Sequence, residues 1–136
     1  APPGCLVLAV SVLTSLNGED MATIWGRNAP VDGDQEVLRL ARLATDAGIR
    51  GLVCSGREAA TVRQALGGGG VAIRIVVPGI RFAAGVTHDQ ARVVTPGEAV
   101  RAGADYVVVG RAVTAADDPV AAMRRLDAEL AMGLNE

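Results

Sequence analysis

The stretch AGADYVVVGR, residues 102–111, carries a helix stop, an apolar β-branched run and a glycine–arginine pair in direct succession. An earlier stretch, AGIRGLVCSG at 47–56, has the same order: helix end, Ala-Gly, strand, small residue. A strand with one wet face alternates apolar and polar residues, whereas an uninterrupted apolar run marks a strand covered on both faces, as in parallel sheets. CLVLAVSVL at 5–13 and IRIVV at 73–77 are of the same kind. The expected strands are therefore 5–13, 51–55, 73–77 and 106–110.

Working outward from these runs, the intervening segments have helical period. Val37, Leu38, Leu40, Ala41, Leu43 and Ala44 mark one apolar face, and Gly48 stands where a C-terminal stop belongs. A second helix is expected over 57–66, closed by the glycine run at 67–70, which reads as a turn rather than an interdomain linker. A third opens at Thr95 with Pro96 in the first helical position and Glu98 placed for a capping box. The fourth opens at Asp118-Pro119 and runs to Gly133. The pattern predicts four βα units in series, an α/β fold with a parallel sheet and right-handed crossovers.

Four units fit either half of an eight-stranded barrel or a small doubly wound sheet. The segment after the first strand, VSVLTSLNGED, has no G-x-G-x-x-G turn, which argues against the nucleotide-binding open sheet. A barrel places polar ligand groups after the C-terminal ends of its strands, with phosphate bound after the last two. The polar residues here cluster in that way.

Composition narrows the function. The 136 residues are half apolar and suit one domain, 1–136, with a real core. A net charge of −2, no basic stripe and three aromatics disfavour nucleic acid as a partner. No apolar run is long enough to span a membrane and the N-terminal stretch lacks a basic signal-peptide region, so the expected location is cytoplasmic. Cys5 and Cys54 lie in apolar runs and are expected as buried free thiols. All 13 basic residues are arginine. Without lysine the chain cannot supply a Schiff base, a P-loop cation or a lysine acid.

Gly110 and Arg111 follow the last strand, with a short helix expected directly after. Glycine admits close backbone approach, the following amides point at an anion, and a guanidinium binds phosphate bidentately. A simple turn with a solvated charge is the alternative. Residues 78–94 form a polar connection too long for routine βα linkage, of the sort that binds ligands. Arg81 near its start and Gln90 near its end could reach the anion that Arg111 holds. His88, the only histidine, has no nucleophile placed beside it and is not assigned a catalytic role. Asp89, Asp117 and Asp118 read as caps and solvated charges, and no spacing suggests a metal site. Ser11, Thr14 and Ser15 end the first strand, where hydroxyls suit a small polar ring, a loop backbone or a capping role.

Taken in order, LAVSVLTS, GLVCS followed by REA, PGIR, DQARVVTP, AGADYVVVGR and TAADDPVAA resemble orotidine 5′-phosphate decarboxylase along nearly the whole chain. The resemblance implies a (β/α)₈ barrel that converts orotidine 5′-phosphate to uridine 5′-phosphate in pyrimidine biosynthesis, with no metal or organic cofactor. It assigns Thr14 to the pyrimidine end, Arg81 and Gln90 to the loop that closes over ligand and phosphate, and Gly110 and Arg111 to the phosphate. Ser11 stands where many members have threonine. The family's catalytic lysines and aspartates, with its D-x-K-x-x-D motif, lie on the first three strands, so the chain corresponds to the C-terminal half of the barrel with the catalytic N-terminal half absent. No catalytic residue is assigned here, and the chain alone is expected to be inactive. Its expected partners are the nucleotide and either a second copy, as a homodimer, or an N-terminal half. The alternatives are a non-catalytic phosphate-binding or self-assembling half-barrel and, below it, a sugar-acid-phosphate decarboxylase of the same superfamily.

Overall fold

Strands with uninterrupted apolar character pair side by side in the order in which the chain makes them. The computed structural model describes residues 4–67, 72–83 and 94–135. Its elements are β1 (Leu8–Val10), α1 (Gly18–Ile24), α2 (Gly33–Asp46), β2 (Gly51–Val53), α3 (Gly56–Gly67), β3 (Arg74–Val77), α4 (Pro96–Arg101), β4 (Tyr106–Val107), α5 (Arg111–Thr114) and α6 (Pro119–Leu134). The four strands form one parallel sheet of order β1-β2-β3-β4. A doubly wound sheet reverses direction at a switch point. Here there is no reversal, and the sheet is the singly wound arc of a partial barrel.

Register explains which face the core occupies. Ala9 pairs with Leu52 and Leu52 with Ile75, while Val77 pairs with Val107. These residues pack with Val37 and Ala41 of α2, Ala59 and Val62 of α3, Ala99 of α4 and Leu126 of α6. One-handed crossovers that each step to the next strand lay their helices on the same face. The opposite face carries the other parity: Leu8, Val10, Tyr106 and Val108 are exposed, Val10 at 58% and Tyr106 at 55%. Coverage on both faces, expected from the apolar runs, holds on the helix side; on the other face Val76 of β3 is buried, at 7% exposure, but the edge strands are exposed. A strand's two faces need two layers, and the described residues supply one.

Local signals set the helix starts. Thr95 caps α4 with Pro96 in the first turn, and its side chain exchanges hydrogen bonds with Glu98 in a capping box. Asp118 caps α6 through the amides of Val120 and Ala121. Asp32 does the same for α2, and Gly48 beyond its end takes φ +85°. The glycines at 68–70 lie outside the described residues. α1 was not expected, yet Asn17 caps it in a full capping box with Asp20. The strands are shorter than the apolar runs, and Cys5 is exposed, since it precedes β1 where no helix covers the chain.

Two contacts hold the layers in register. At the strand N-termini, the Asp105 carboxylate accepts from the Ile75 amide at 2.8 Å, from Arg74 Nη1 at 3.0 Å and from Arg63 Nη2 at 2.5 Å. Arg63 also donates to the carbonyls of Ile73 and Gly103, so one guanidinium of α3 reaches both later strands. Burial alone would raise the Asp105 pKa, but these hydrogen bonds outweigh it and hold the carboxyl below its ordinary value. At the other contact, α6 meets α4 so closely that a Cβ on Gly133 would lie 2.8 Å from the Gly97 carbonyl oxygen and 2.9 Å from its Cα.

Gly133→Ala is expected to lower stability by about 1–3 kcal/mol, because backbone atoms cannot move aside. That is opposite in sign to the gain of about 1 kcal/mol that alanine gives in an open helix, and a urea midpoint decides it. The depressed Asp105 pKa contributes stability that is complete above the unfolded carboxyl value of about 3.9 and is lost as pH falls through the lower folded value. Asp105→Asn should therefore destabilise the chain at neutral pH and flatten the acid limb of its stability profile.

Candidate functional site

Because all four strands run in parallel, their C-terminal ends share one rim of the sheet. Ser11 and Thr14 follow β1, Cys54 and Ser55 follow β2, Ile80 and Arg81 follow β3, and Gly110 and Arg111 follow β4. The fold thus brings Thr14, Arg81, Gly110 and Arg111 to one end of the molecule. Arg81 and Arg111 come from neighbouring strands, and Thr14 from two strands further along. Gln90, His88 and Asp89 lie outside the described residues.

The segment after β3 begins and ends at one point. Ile80 bridges Val94 in parallel fashion, and the Arg81 amide donates to the Val94 carbonyl at 3.1 Å. Ile80 is buried in the core, which ties this neck to the sheet. Gly56, at the start of α3, makes room for it: a Cβ there would lie 2.4 Å from a methyl of Val94. Arg81 is half-buried, and its Nη1 donates to the Ile80 carbonyl at 2.8 Å.

Gly110 is the residue before α5, which starts at Arg111 as the sequence predicts. No side chain caps that helix start. A Cβ on Gly110 would meet nothing within 4 Å, so the space beside its backbone is open. Arg111 is exposed, and among the described residues its side chain has no ion-pair or hydrogen-bond partner. Ser11 spends its hydroxyl on the Val53 carbonyl at 2.9 Å, a bond between adjacent strand ends. Thr14 is half-buried, and its hydroxyl has no partner among the described residues.

The strand end after β2 is a closed polar knot that sequence reasoning missed. Ser55 and Glu58 are both buried. The Ser55 amide and hydroxyl both donate to Glu58 Oε2, the amide at 2.9 Å. Their S-x-x-E spacing is a capping-box signature, legible in SGRE once the helix is started one residue earlier than its apolar face suggests. Beside it, burial and then the neighbouring Glu58 charge push the Cys54 thiol up to about 12. Such a thiol is no nucleophile at neutral pH. Among the described residues no group of histidine, cysteine or carboxylate side chains is arranged to hold a metal ion. No helix of the structure is long and apolar enough to cross a membrane.

A singly wound parallel sheet of four strands defines the class: a barrel-type α/β protein, the architecture in which ligand groups generally sit on the βα connections. The family model for orotidine 5′-phosphate decarboxylase / HUMPS matches residues 3–126, and the chain belongs to that family. An orotidine 5′-phosphate decarboxylase of Gluconobacter oxydans is 50% identical over 125 residues, covering 92% of this chain and 50% of the relative. One from Anaeromyxobacter sp. (strain K) is 51% identical over 130 residues, covering 96% and 55%. The crystal structure of the Lactobacillus acidophilus orotidine 5′-phosphate decarboxylase matches with a TM-score of 0.71 at 30% identity, over 95% of this chain and 52% of that one. The chain spans about half the length of the curated relatives it matches.

The two thiols provide a check on the rim. Cys5 is exposed and Cys54 is buried with a raised pKa. In a thiol-labelling time course at neutral pH, Cys5 is expected to react promptly and Cys54 only on addition of denaturant. Equal rates would contradict the closed knot after β2.

Proposed function

We propose that the chain provides the nucleotide- and phosphate-binding half of a barrel that decarboxylates orotidine 5′-phosphate to uridine 5′-phosphate in pyrimidine biosynthesis. The observation that carries the reading is the rim after β4: an exposed Arg111, its side chain without a partner among the described residues, directly behind a glycine beside which a Cβ would meet nothing within 4 Å. A glycine there leaves the backbone open to close approach by a phosphate. Gly110 and Arg111 take the phosphate, Arg81 and Gln90 contribute from the connection after β3, and Thr14 meets the pyrimidine. The names of the relatives at 50% and 51% identity favour a nucleotide over a sugar-acid phosphate.

In this reading the chain's contribution to catalysis is remote binding. Interactions with the non-reacting phosphate are used to stabilise the transition state at the pyrimidine. The groups that act on the carboxylate and protonate the product carbon come from a partner half, since the chain has no lysine to offer. That partner also supports a reading of the exposed row Leu8, Val10, Tyr106 and Val108, and of the open edges of β1 and β4. Open parallel edges favour pairing. A complementary half-barrel would cover both edges and the uncovered face together.

Calorimetric titration of the chain with uridine 5′-monophosphate tests the binding half. Binding is expected, and Arg111→Ala should weaken it at least tenfold, the loss of a charge-assisted pair being worth about 1.5–3 kcal/mol. Binding unaffected by Arg111→Ala would overturn the assigned grip. Decarboxylation of orotidine 5′-phosphate should be absent from the chain alone and appear on co-expression with the N-terminal half of the Gluconobacter relative. Turnover by the chain alone would overturn the division of roles.

A further inference from the structure

Arg125 lies on α6, outside every motif from which the site was read. Its guanidinium carbon stands 4.3 Å from the centroid of the Phe82 ring, within the distance at which a cation is drawn to the face of an aromatic quadrupole. Phe82 is half-buried against the core and directly follows Arg81. Three consecutive residues after β3 are thus held by three different partners. Ile80 is sunk in the core, Arg81 is tied through its amide to Val94, and Phe82 lies under a cation from α6.

The cation is itself fixed. Arg125 Nε donates to Glu129 Oε1, one turn further along α6, at 2.8 Å. The next residue, Leu126, is 4% exposed and packs in the core. Arg125 therefore projects from a helix that is anchored on both sides of it, with Gly133 against Gly97 at its far end.

We propose that Arg125 is a positioning residue for Arg81: by holding Phe82 it fixes the backbone from which the Arg81 side chain reaches the phosphate end of the ligand. The proposal rests on Arg81 being a ligand group, as read above. The Arg81 guanidinium lies on the Ile80 carbonyl. With the backbone already fixed, a ligand need only draw off the side chain. With Phe82 released, binding must also order the backbone, and fixing one residue costs about a tenfold loss of affinity.

The test uses the full 136-residue chain, with Arg125→Ala, Arg125→Lys and Phe82→Leu, followed by amide hydrogen exchange and by titration with uridine 5′-monophosphate and with inorganic phosphate. In Arg125→Ala the Arg81 amide should exchange about tenfold faster while the Ile75 amide keeps its protection, and the lysine variant, which retains the cation, should recover most of the difference. Phe82→Leu should reproduce the effect, and the double variant should add little, as expected for two halves of one contact. Binding of the nucleotide and of inorganic phosphate should both weaken about tenfold in Arg125→Ala, since Arg81 is read as reaching the phosphate. Unaltered Arg81 protection in Arg125→Ala overturns the proposal, as does a loss of protection extending to Ile75, which would give Arg125 a fold-wide role. If the unsubstituted chain binds no nucleotide, the reading of the site fails, and the exchange data still decide whether Arg125 holds Arg81.

Discussion

Parallel pairing is the constraint from which the molecule follows. Two parallel neighbours cannot be joined by a tight turn, so each strand must be followed by a crossover, and the crossovers become the helical layer. The same constraint puts every strand's C-terminus on one rim, which is why residues as distant in sequence as Thr14 and Arg111 share an end of the sheet. It also decides what is left over. The helices cover one face, and the alternate residues of β1 and β4 stay in solvent.

The two ends of the sheet are built differently, and the difference has a physical reason. At the strand N-termini charges meet one another: Arg63, Arg74 and the Ile75 amide all donate to Asp105. At the C-termini the satisfied groups are those of the scaffold, Ser11 on Val53 and Ser55 on Glu58. The arginine after β4 is unspent among the described residues. In the proposed reading, stability and ligand binding are assigned to opposite rims.

Much of this was legible in the sequence because it depends on local rules. Thr95-Pro96 and Asp118-Pro119 start helices wherever they occur ahead of an apolar face, and both do so here. The βα order was equally plain from the apolar runs. What escaped was non-local or weakly marked. α1 is a single short helix whose start, Asn17-Gly-Glu-Asp, carries a cap but only a brief apolar face. Cys5 looked buried because its neighbours are apolar, but burial depends on what lies across from a strand, and nothing described does. Of the candidate site, Gly110 and Arg111 could be placed from the strand they follow, whereas Arg125 could not: its partner is Phe82, and only the packing of α6 against the neck brings the two together.

The neck closed by Arg81 and Val94 has one more consequence. Once two chain ends are held together by a buried bridge, the number of residues between them ceases to matter to the scaffold, since each doubling of such a stretch costs only about 0.6 kcal/mol in closure entropy. Insertions and deletions there can accumulate without shifting β3 or α4. Length variation in this connection is thus a change that the sheet and its helices can absorb.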